Sequence, residues 1–254
     1  MRGVAAVFRR ELAGHFESPV APVTAAVFVL ALDALFFFVG YAVGDLRLPS
    51  FWQRREATLE VLFAWLPLLF VVLVPALTMG AWAEERRSGS EELLLTLPLR
   101  PRDAVLGKFL ASWTLLALLV AVAVLPMAAV VSQLGELDWS AALGGLMGAV
   151  LLGASCVALG LWVSALSGDQ LIAFLLAAVL LALLWSAGTL ARLLPAELAP
   201  AVQYAGPSAH YLESSARGVF DARDLVYHGL LTGLGLFLNT LAVEGRRWRG
   251  AGAR

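Results

Sequence analysis

The sequence has too little charge for a soluble domain. Asp, Glu, Lys and Arg make up 15% of its 254 residues, whereas an average soluble domain is about 25% charged. Hydrophobic residues reach 60%, and the mean hydropathy is +0.82. Such a chain cannot cover a globule with polar side chains, so we expect an integral membrane protein.

Other missing features exclude several chemistries. The one cysteine, Cys156, cannot form an intrachain disulfide. His15, His210 and His228 lack metal-ligand spacing, and no serine in or beside the apolar segments has a nearby His–Asp pattern. We therefore expect neither a metal site nor a catalytic residue. The sequence contains no P-loop, so any ATP hydrolysis must occur in another chain. The net charge of −1 argues neither for nor against nucleic acid, and we expect no such partner.

Six apolar segments are long enough to cross a bilayer, which requires about 20 residues per helix. They are residues 20–44, 59–82, 106–131, 141–166, 170–191 and 225–243. Lys and Arg concentrate on the cytoplasmic side of such proteins. Twelve basic residues fall on the side of the N-terminus and six on the other. We therefore predict one all-α membrane domain over residues 1–254, with both termini in the cytoplasm.

Two flanking segments are predicted to lie along the membrane. In residues 1–18, "VAAVFRRELAGHF" repeats apolar residues at helical spacing, which predicts an N-terminal interfacial elbow helix. Residues 192–224 mix prolines with apolar residues, which favours short re-entrant or interfacial helices outside. Asp221 followed by Asp224 resembles a capping box at the start of the last span.

The longest charged passage, "AEERRSGSEELLLTLPLRPRDAVLGKF", contains the predicted cytoplasmic loop of residues 83–105. The second span can continue as a helix into "AWAEERR", and Gly89 weakens that helix. "SGSE" can then start a short helix that Pro98 ends. Its leucines exceed what a solvated loop needs. From physics alone, the loop either lies on the bilayer surface or docks a partner protein.

Longer motifs resemble a known family. "PALTMGAWAEERRSGSEELLLTLPLRPRDAVLGKFLA" closely resembles the core motif of type-2 ABC transporter permeases, in particular the gliding-motility-associated subfamily. "FRRELAGHFESPVAPV" is similar to the elbow of that subfamily, and "YLESSARGVFDARDLVYHGLLTGLGLFLNTLAVEGRRW" to its C-terminal signature. The resemblance implies a permease of the bacterial inner membrane that binds no cofactor itself. It also implies a second permease subunit, identical or different, and a separate ABC ATP-binding subunit that holds ATP and Mg²⁺.

The resemblance further implies roles for individual residues. The coupling helix, through which an ATP-binding subunit docks in this family, falls on Ser90, Glu91, Glu92, Leu93, Leu94, Leu95, Thr96 and Leu97. The hinge between the second span and that helix falls on Glu84, Glu85, Arg86, Arg87 and Gly89. The implied function is ATP-driven export of a substrate. The alternative is a complex that transports nothing and transmits force or a signal to a periplasmic partner on residues 192–224.

Asp33 is unusual because it lies in the middle of the first span, where a carboxylate costs roughly 2.5–3.5 kcal/mol on insertion scales. We expect it to face protein or water. It either lines a conduit or dimer seam, or has a structural role in which it pairs with a hydroxyl or amide on a neighbouring helix or is protonated. Both interpretations stay open.

Short motifs carry less weight. "LSGDQ" at residues 166–170 imitates an ABC ATPase signature, and "GK" at Gly107 and Lys108 imitates part of a P-loop. We interpret the first as a turn between spans and the second as a chance match. Two GxxxG patterns, at residues 144–148 and 229–233, permit close helix packing. Packing within one subunit is favoured over a dimer contact.

Overall fold

The computed structural model describes residues 2–17, 20–43, 46–87, 89, 100–219 and 221–251. The α-helices in this part of the chain are α1 (Arg2–Glu17), α2 (Val20–Phe38), α3 (Phe51–Arg54), α4 (Glu60–Thr78), α5 (Gly80–Arg87), α6 (Pro101–Leu134), α7 (Trp139–Leu166), α8 (Gln170–Leu190), α9 (Ala199–Ala205), α10 (Pro207–Leu212) and α11 (Ala222–Ala251). Strands β1 (Tyr41–Val43) and β2 (Leu46–Leu48) form an antiparallel pair. Single 3₁₀ turns cover Ala191–Leu193 and Ser215–Arg217.

Five helical stretches of the described chain are long and apolar enough to cross a membrane: 60–87, 101–134, 139–166, 170–193 and 222–246. A sixth is added if residues 3–17 and 22–38, which meet at a bend of 75°, count as one span. The predicted class, an α-helical multi-pass membrane protein, is confirmed. Since α5 ends and α6 begins at the same end of the bundle, we call this the loop end and the opposite one the far end.

The predicted end of the first span, at residue 44, is wrong. The helix stops at Phe38, and the chain turns into the β1–β2 hairpin, with Tyr41 opposite Leu48. A Cβ atom at Gly40 would lie 2.6 Å from the carbonyl oxygen of Leu48. Only glycine allows this approach of two backbones. The hairpin can therefore fold back directly after the end of α2.

Helices α4 and α7 form the centre of the bundle. In each, 67% of the most apolar stretch is buried, against 22% in α8 and α11. The glycines of α7 explain its close contacts, because Gly145 faces the ring of Phe63 on α4 and Gly153 faces Leu116 on α6. The prediction of packing within the subunit is confirmed for this helix.

The same prediction is wrong for α11. A Cβ atom at Gly229 or Gly233 would meet no described atom within 4 Å. This small-residue face of α11 therefore points away from the rest of the described subunit.

Short helices between Ala191 and α11 lie at the far end. The prediction that residues 192–224 are re-entrant or interfacial and lie outside stays a prediction. Gly144 and Gly148 of α7 lie against Gly218 and Ser215 of this segment. Gly218 has a φ of 80°, a left-handed conformation that favours glycine. The segment is thus packed onto the bundle and does not extend from it as a free loop.

Candidate functional site

The predicted continuation of the second span into "AWAEERR" is confirmed by α5. α4 passes into α5 at Met79, which keeps helical dihedrals and donates its N–H to the Pro75 carbonyl oxygen at 2.8 Å. Ser164 of α7 contacts the chain at this point. The Ser164 hydroxyl donates to the Met79 carbonyl oxygen at 2.9 Å and accepts from the Trp82 backbone N–H at 3.2 Å. Gly89 follows α5 with a φ of 73°, and its N–H reaches the Arg86 carbonyl at 3.1 Å. At each end of α5 at least one backbone group is therefore satisfied, the Trp82 N–H and the Arg86 carbonyl oxygen.

One side of α5 is held by a buried ammonium group. Lys108 of α6 is 1% exposed, and its Nζ lies 3.0 Å from Glu11 Oε1 of α1 and 2.9 Å from Glu85 Oε1 of α5. It also donates to the Ala81 carbonyl oxygen at 2.7 Å. The ring of Trp82 covers it, with Nζ 4.9 Å from the ring centroid. These contacts join α1, α5 and α6.

Arg10 completes this charge cluster. Its guanidinium lies 2.5 Å from Glu11 Oε1 and 2.7 Å from Glu85 Oε1. Burial of Glu11 acts to raise its pKa, but the Lys108 ammonium and the Arg10 guanidinium outweigh that effect and hold the pKa below its ordinary value. Glu11 is thus kept in its charged form, which is the form that binds both cations.

The other side of α5 contacts the turn between α7 and α8. The Arg86 guanidinium donates to the Ala165 carbonyl oxygen at 2.8 Å, and Gln170 Nε2 donates to the Glu84 carboxylate. Asp169 caps α8 by accepting from the backbone N–H of Leu171 at 2.8 Å. "LSGDQ" is therefore a turn between spans, as predicted. We call α5 and these two sets of contacts the α5 junction.

Four of the five predicted hinge residues lie in a helix that is held on two sides, and the fifth, Gly89, follows that helix. Glu85 binds Lys108, Glu84 and Arg86 contact the α7–α8 turn, and Arg87 is exposed in the last turn of α5. The predicted coupling helix, Ser90–Leu97, lies outside the described residues, as does Ser88 at the start of "SGSE". In sequence, α5 ends just before this segment and α6 begins just after it.

Asp33 is half-buried in α2, and its Oδ1 atom is buried without a hydrogen-bond partner among the described residues. The expectation that Asp33 faces protein or water, and its role, both stay predictions. A cleft of about 790 Å³ opens at the far end, lined by residues that include Phe51, Trp52, Phe63 and Arg217. Asp33 is not part of its lining.

A second buried polar cluster joins the far-end segment to α11. His210 Nδ1 lies 3.1 Å from Asp224 Oδ1, and Nε2 lies 3.0 Å from the Tyr204 carbonyl oxygen. The Ser214 hydroxyl contacts the Asp224 carboxylate and not the imidazole. This is not the geometry of an activated nucleophile, in which the imidazole contacts the hydroxyl. Because the Asp224 carboxylate contacts His210 and Ser214, it does not form the expected capping box. Asp221 caps α11 by accepting from the Arg223 backbone N–H at 2.9 Å.

The sequence patterns missed both clusters. Lys108 was interpreted only as a chance P-loop match, and His210 only as a histidine without metal-ligand spacing. One signal was available for the first, because Lys108 is the only lysine of the chain and lies next to a long apolar run. Its partner Glu11 is 97 residues away in sequence, so the pairing itself was beyond local patterns.

Comparison with protein families identifies the class. The family model described as ABC-2 family transporter protein matches residues 47–237, more than half of the chain. The chain belongs to this family. None of the curated proteins compared with it matches. ABC-2 proteins are the membrane components of ABC transporters and not their catalytic subunits, and the family in general implies an ATP-binding partner and a membrane dimer. In this ABC-2 protein, the match includes α5 and Lys108, whereas α1 and α2 precede it.

Proposed function

We propose that this ABC-2 protein is the permease subunit of an exporter-type complex of the bacterial inner membrane, of the gliding-motility-associated subfamily, and that a separate subunit hydrolyses the ATP. The α5 junction is the observation that carries the proposal. A helix held on two sides leads directly into the segment whose sequence resembles the coupling helix. Such an arrangement suits a segment that receives a push from a bound partner.

The contacts of α5 suggest how a displacement would spread. Movement of the 88–99 segment reaches α1 and α6 through Lys108, and the α7–α8 turn through Arg86 and Glu84. An ATP-driven permease requires an element with two conformations whose balance nucleotide shifts. In this proposal that element is the permease dimer, formed with an identical or a different subunit.

Docking is tested by changing two leucines of the proposed coupling helix. Burying one leucine is worth roughly 1.5–3 kcal/mol, and 1.4 kcal/mol is about tenfold in affinity. Leu94→Asp with Leu95→Asp should therefore reduce co-purification of the ATP-binding subunit at least about 100-fold. The matched control is Leu193→Asp with Leu194→Asp, an adjacent pair at the far end. Undiminished co-purification by a correctly inserted Leu94/Leu95 variant would contradict the proposal.

Orientation is tested by cysteine labelling of intact cells, in a Cys156→Ala background. A membrane-impermeant reagent should modify Ser208→Cys at the far end and not Ser90→Cys in the loop. The reverse pattern would place the loop outside, where no ATP-binding subunit could reach it.

The alternative, transmission of force or a signal to a periplasmic partner, is favoured by the far-end segment. It is anchored through His210 and Asp224, yet leaves Leu193 83% and Tyr204 64% exposed. Two results together would support this second function. The purified complex would hydrolyse ATP in proteoliposomes without moving lipid or hydrophobic cargo. It would also bind a periplasmic protein, and Tyr204→Ala would abolish that binding.

A further inference from the structure

Lysine is used once in this chain. Lysine and arginine together number 18, and every basic residue except Lys108 is arginine. That one lysine is also a deeply buried cation, 1% exposed. The use of lysine at this one position indicates that the site needs an ammonium group and not a guanidinium group.

The geometry around Nζ shows what that is. An ammonium group has three N–H donors on one atom. Lys108 finds three acceptors, on Glu11 at 3.0 Å, Glu85 at 2.9 Å and the Ala81 carbonyl at 2.7 Å. An arginine would present a planar fork with five donors, which cannot converge on three acceptors around one point.

The three acceptors belong to two helices, α1 and α5, which also meet directly through Arg10 and Glu85 at 2.7 Å. Glu11 lies on α1, and Ala81 and Glu85 lie on α5, so Lys108 joins both to its own helix α6. α5 continues α4 directly through Met79. Without the Lys108 contacts, fewer links would hold α5 to α1 and α6, and a push on the following segment could then move α5 relative to those two helices.

We propose that Lys108 is a positioning residue that makes α1, α5 and α6 move as one body. This rests on the proposed function, in which an ATP-binding subunit pushes on residues 90–97. Lys108 does not contact that subunit or a substrate. It converts a local displacement of the loop into a displacement of the elbow and of the second and third spans.

The test uses the full permease in complex with its ATP-binding subunit, in proteoliposomes with ATP and Mg²⁺. Lys108→Met, Lys108→Arg and wild type are compared for co-purification and for the permease-dependent change in ATP turnover. Arg102→Met, an exposed cation on the same helix, is the control. Both Lys108 variants should retain the ATP-binding subunit within about twofold. In each variant the permease-dependent change in ATP turnover should be about tenfold smaller than in wild type, a factor that corresponds to about 1.4 kcal/mol. The control should behave as wild type.

The outcomes separate this proposal from the docking proposal. Wild-type coupling in Lys108→Met, or full coupling in Lys108→Arg, would overturn the role of Lys108 while leaving docking intact. Loss of the ATP-binding subunit from inserted Lys108→Met would also overturn it, because Lys108 would then act in docking. Failure of the wild type itself to retain the subunit would contradict the proposed function.

A second measurement needs no variant. Because Lys108 is the only lysine of this chain, the side-chain amine that an amine-reactive reagent can modify in permease peptides is that of Lys108. Mass spectrometry should find Lys108 equally protected without nucleotide, with ATP and in the vanadate-trapped complex. Labelling that rises about tenfold or more with nucleotide would show that the ion pairs open during the cycle, and would refute a body that moves as one.

Discussion

Replacing Gly107 with alanine is expected to push the elbow helix α1 away from α6. A Cβ atom at residue 107 would lie 2.6 Å from Val7 Cβ and 3.1 Å from the Val4 carbonyl oxygen. Carbon atoms in favourable contact lie about 3.5–4.0 Å apart. Neither neighbour is the end of a flexible side chain, so the backbone of α1 must shift.

The magnitude follows from the cost of overpacking, typically about 1–3 kcal/mol. For a chain of this size, each kcal/mol lowers the Tm by about 2–4 °C. Alanine favours a helix over glycine by about 1 kcal/mol, which offsets part of this cost, so Gly107→Ala should lower the Tm of the purified protein by up to about 8 °C. The shift of α1 should also lengthen the Glu11–Lys108 contact and weaken coupling.

The chain provides a matched control in the same elbow. A Cβ atom at Gly14 of α1 would meet no described atom within 4 Å, so Gly14→Ala should leave the Tm unchanged or raise it. Adding Val7→Gly to Gly107→Ala should recover part of the loss by removing the clash. The reasoning is refuted if Gly107→Ala melts at or above the wild-type Tm by intrinsic fluorescence.

Three further outcomes are expected. Asp33→Leu should raise the Tm, since burying a carboxyl oxygen without a hydrogen bond costs about 1–3 kcal/mol and the variant removes that atom. A lower Tm would mean that the carboxyl has a partner in the assembly. Asp224→Ala should expose the far-end segment to protease, because losing one partner of a buried pair costs about 3–5 kcal/mol, whereas the exposed cap variant Asp221→Ala should resist cleavage. Because the pKa of Glu11 is lowered in the folded protein, its contribution to stability is present above the ordinary glutamate pKa of about 4.3 and is lost as pH falls through the lower folded-state value. Glu11→Gln should therefore reduce the drop in Tm between pH 6 and pH 3. An unchanged pH profile would contradict this prediction.

The membrane spans could be predicted because they depend on local apolar length. The turn at residues 166–170 and the start of α6 at Pro101 follow from local signals of the same kind. The β1–β2 hairpin was not predicted, although Gly44 and Asp45 between two short segments are a sequence signal for a hairpin, because the apolar length of the first span was given more weight. Its formation depends on the approach of Gly40 to Leu48, which only the folded chain shows.

The candidate site was predicted in part. Continuation of the helix through Arg87 and its end near Gly89 follow from the sequence, whereas the contacts that hold Glu85 do not. Lys108 and Glu11 meet only because α1 packs on α6. The same limit applies to Asp224, whose local capping role is replaced by a tertiary contact with His210. At Asp224, a distant polar partner thus replaces the contact that the local capping preference would favour.

The central claim is that residues 90–97 bind an ATP-binding subunit and do not merely rest on lipid. The most direct measurement is site-specific cross-linking in intact cells, with a photo-reactive amino acid in place of Leu94 and, as a control, in place of Leu193. The account predicts a covalent adduct between the permease and the ATP-binding subunit from position 94 and none from position 193. Adducts with lipid alone from position 94 would contradict it.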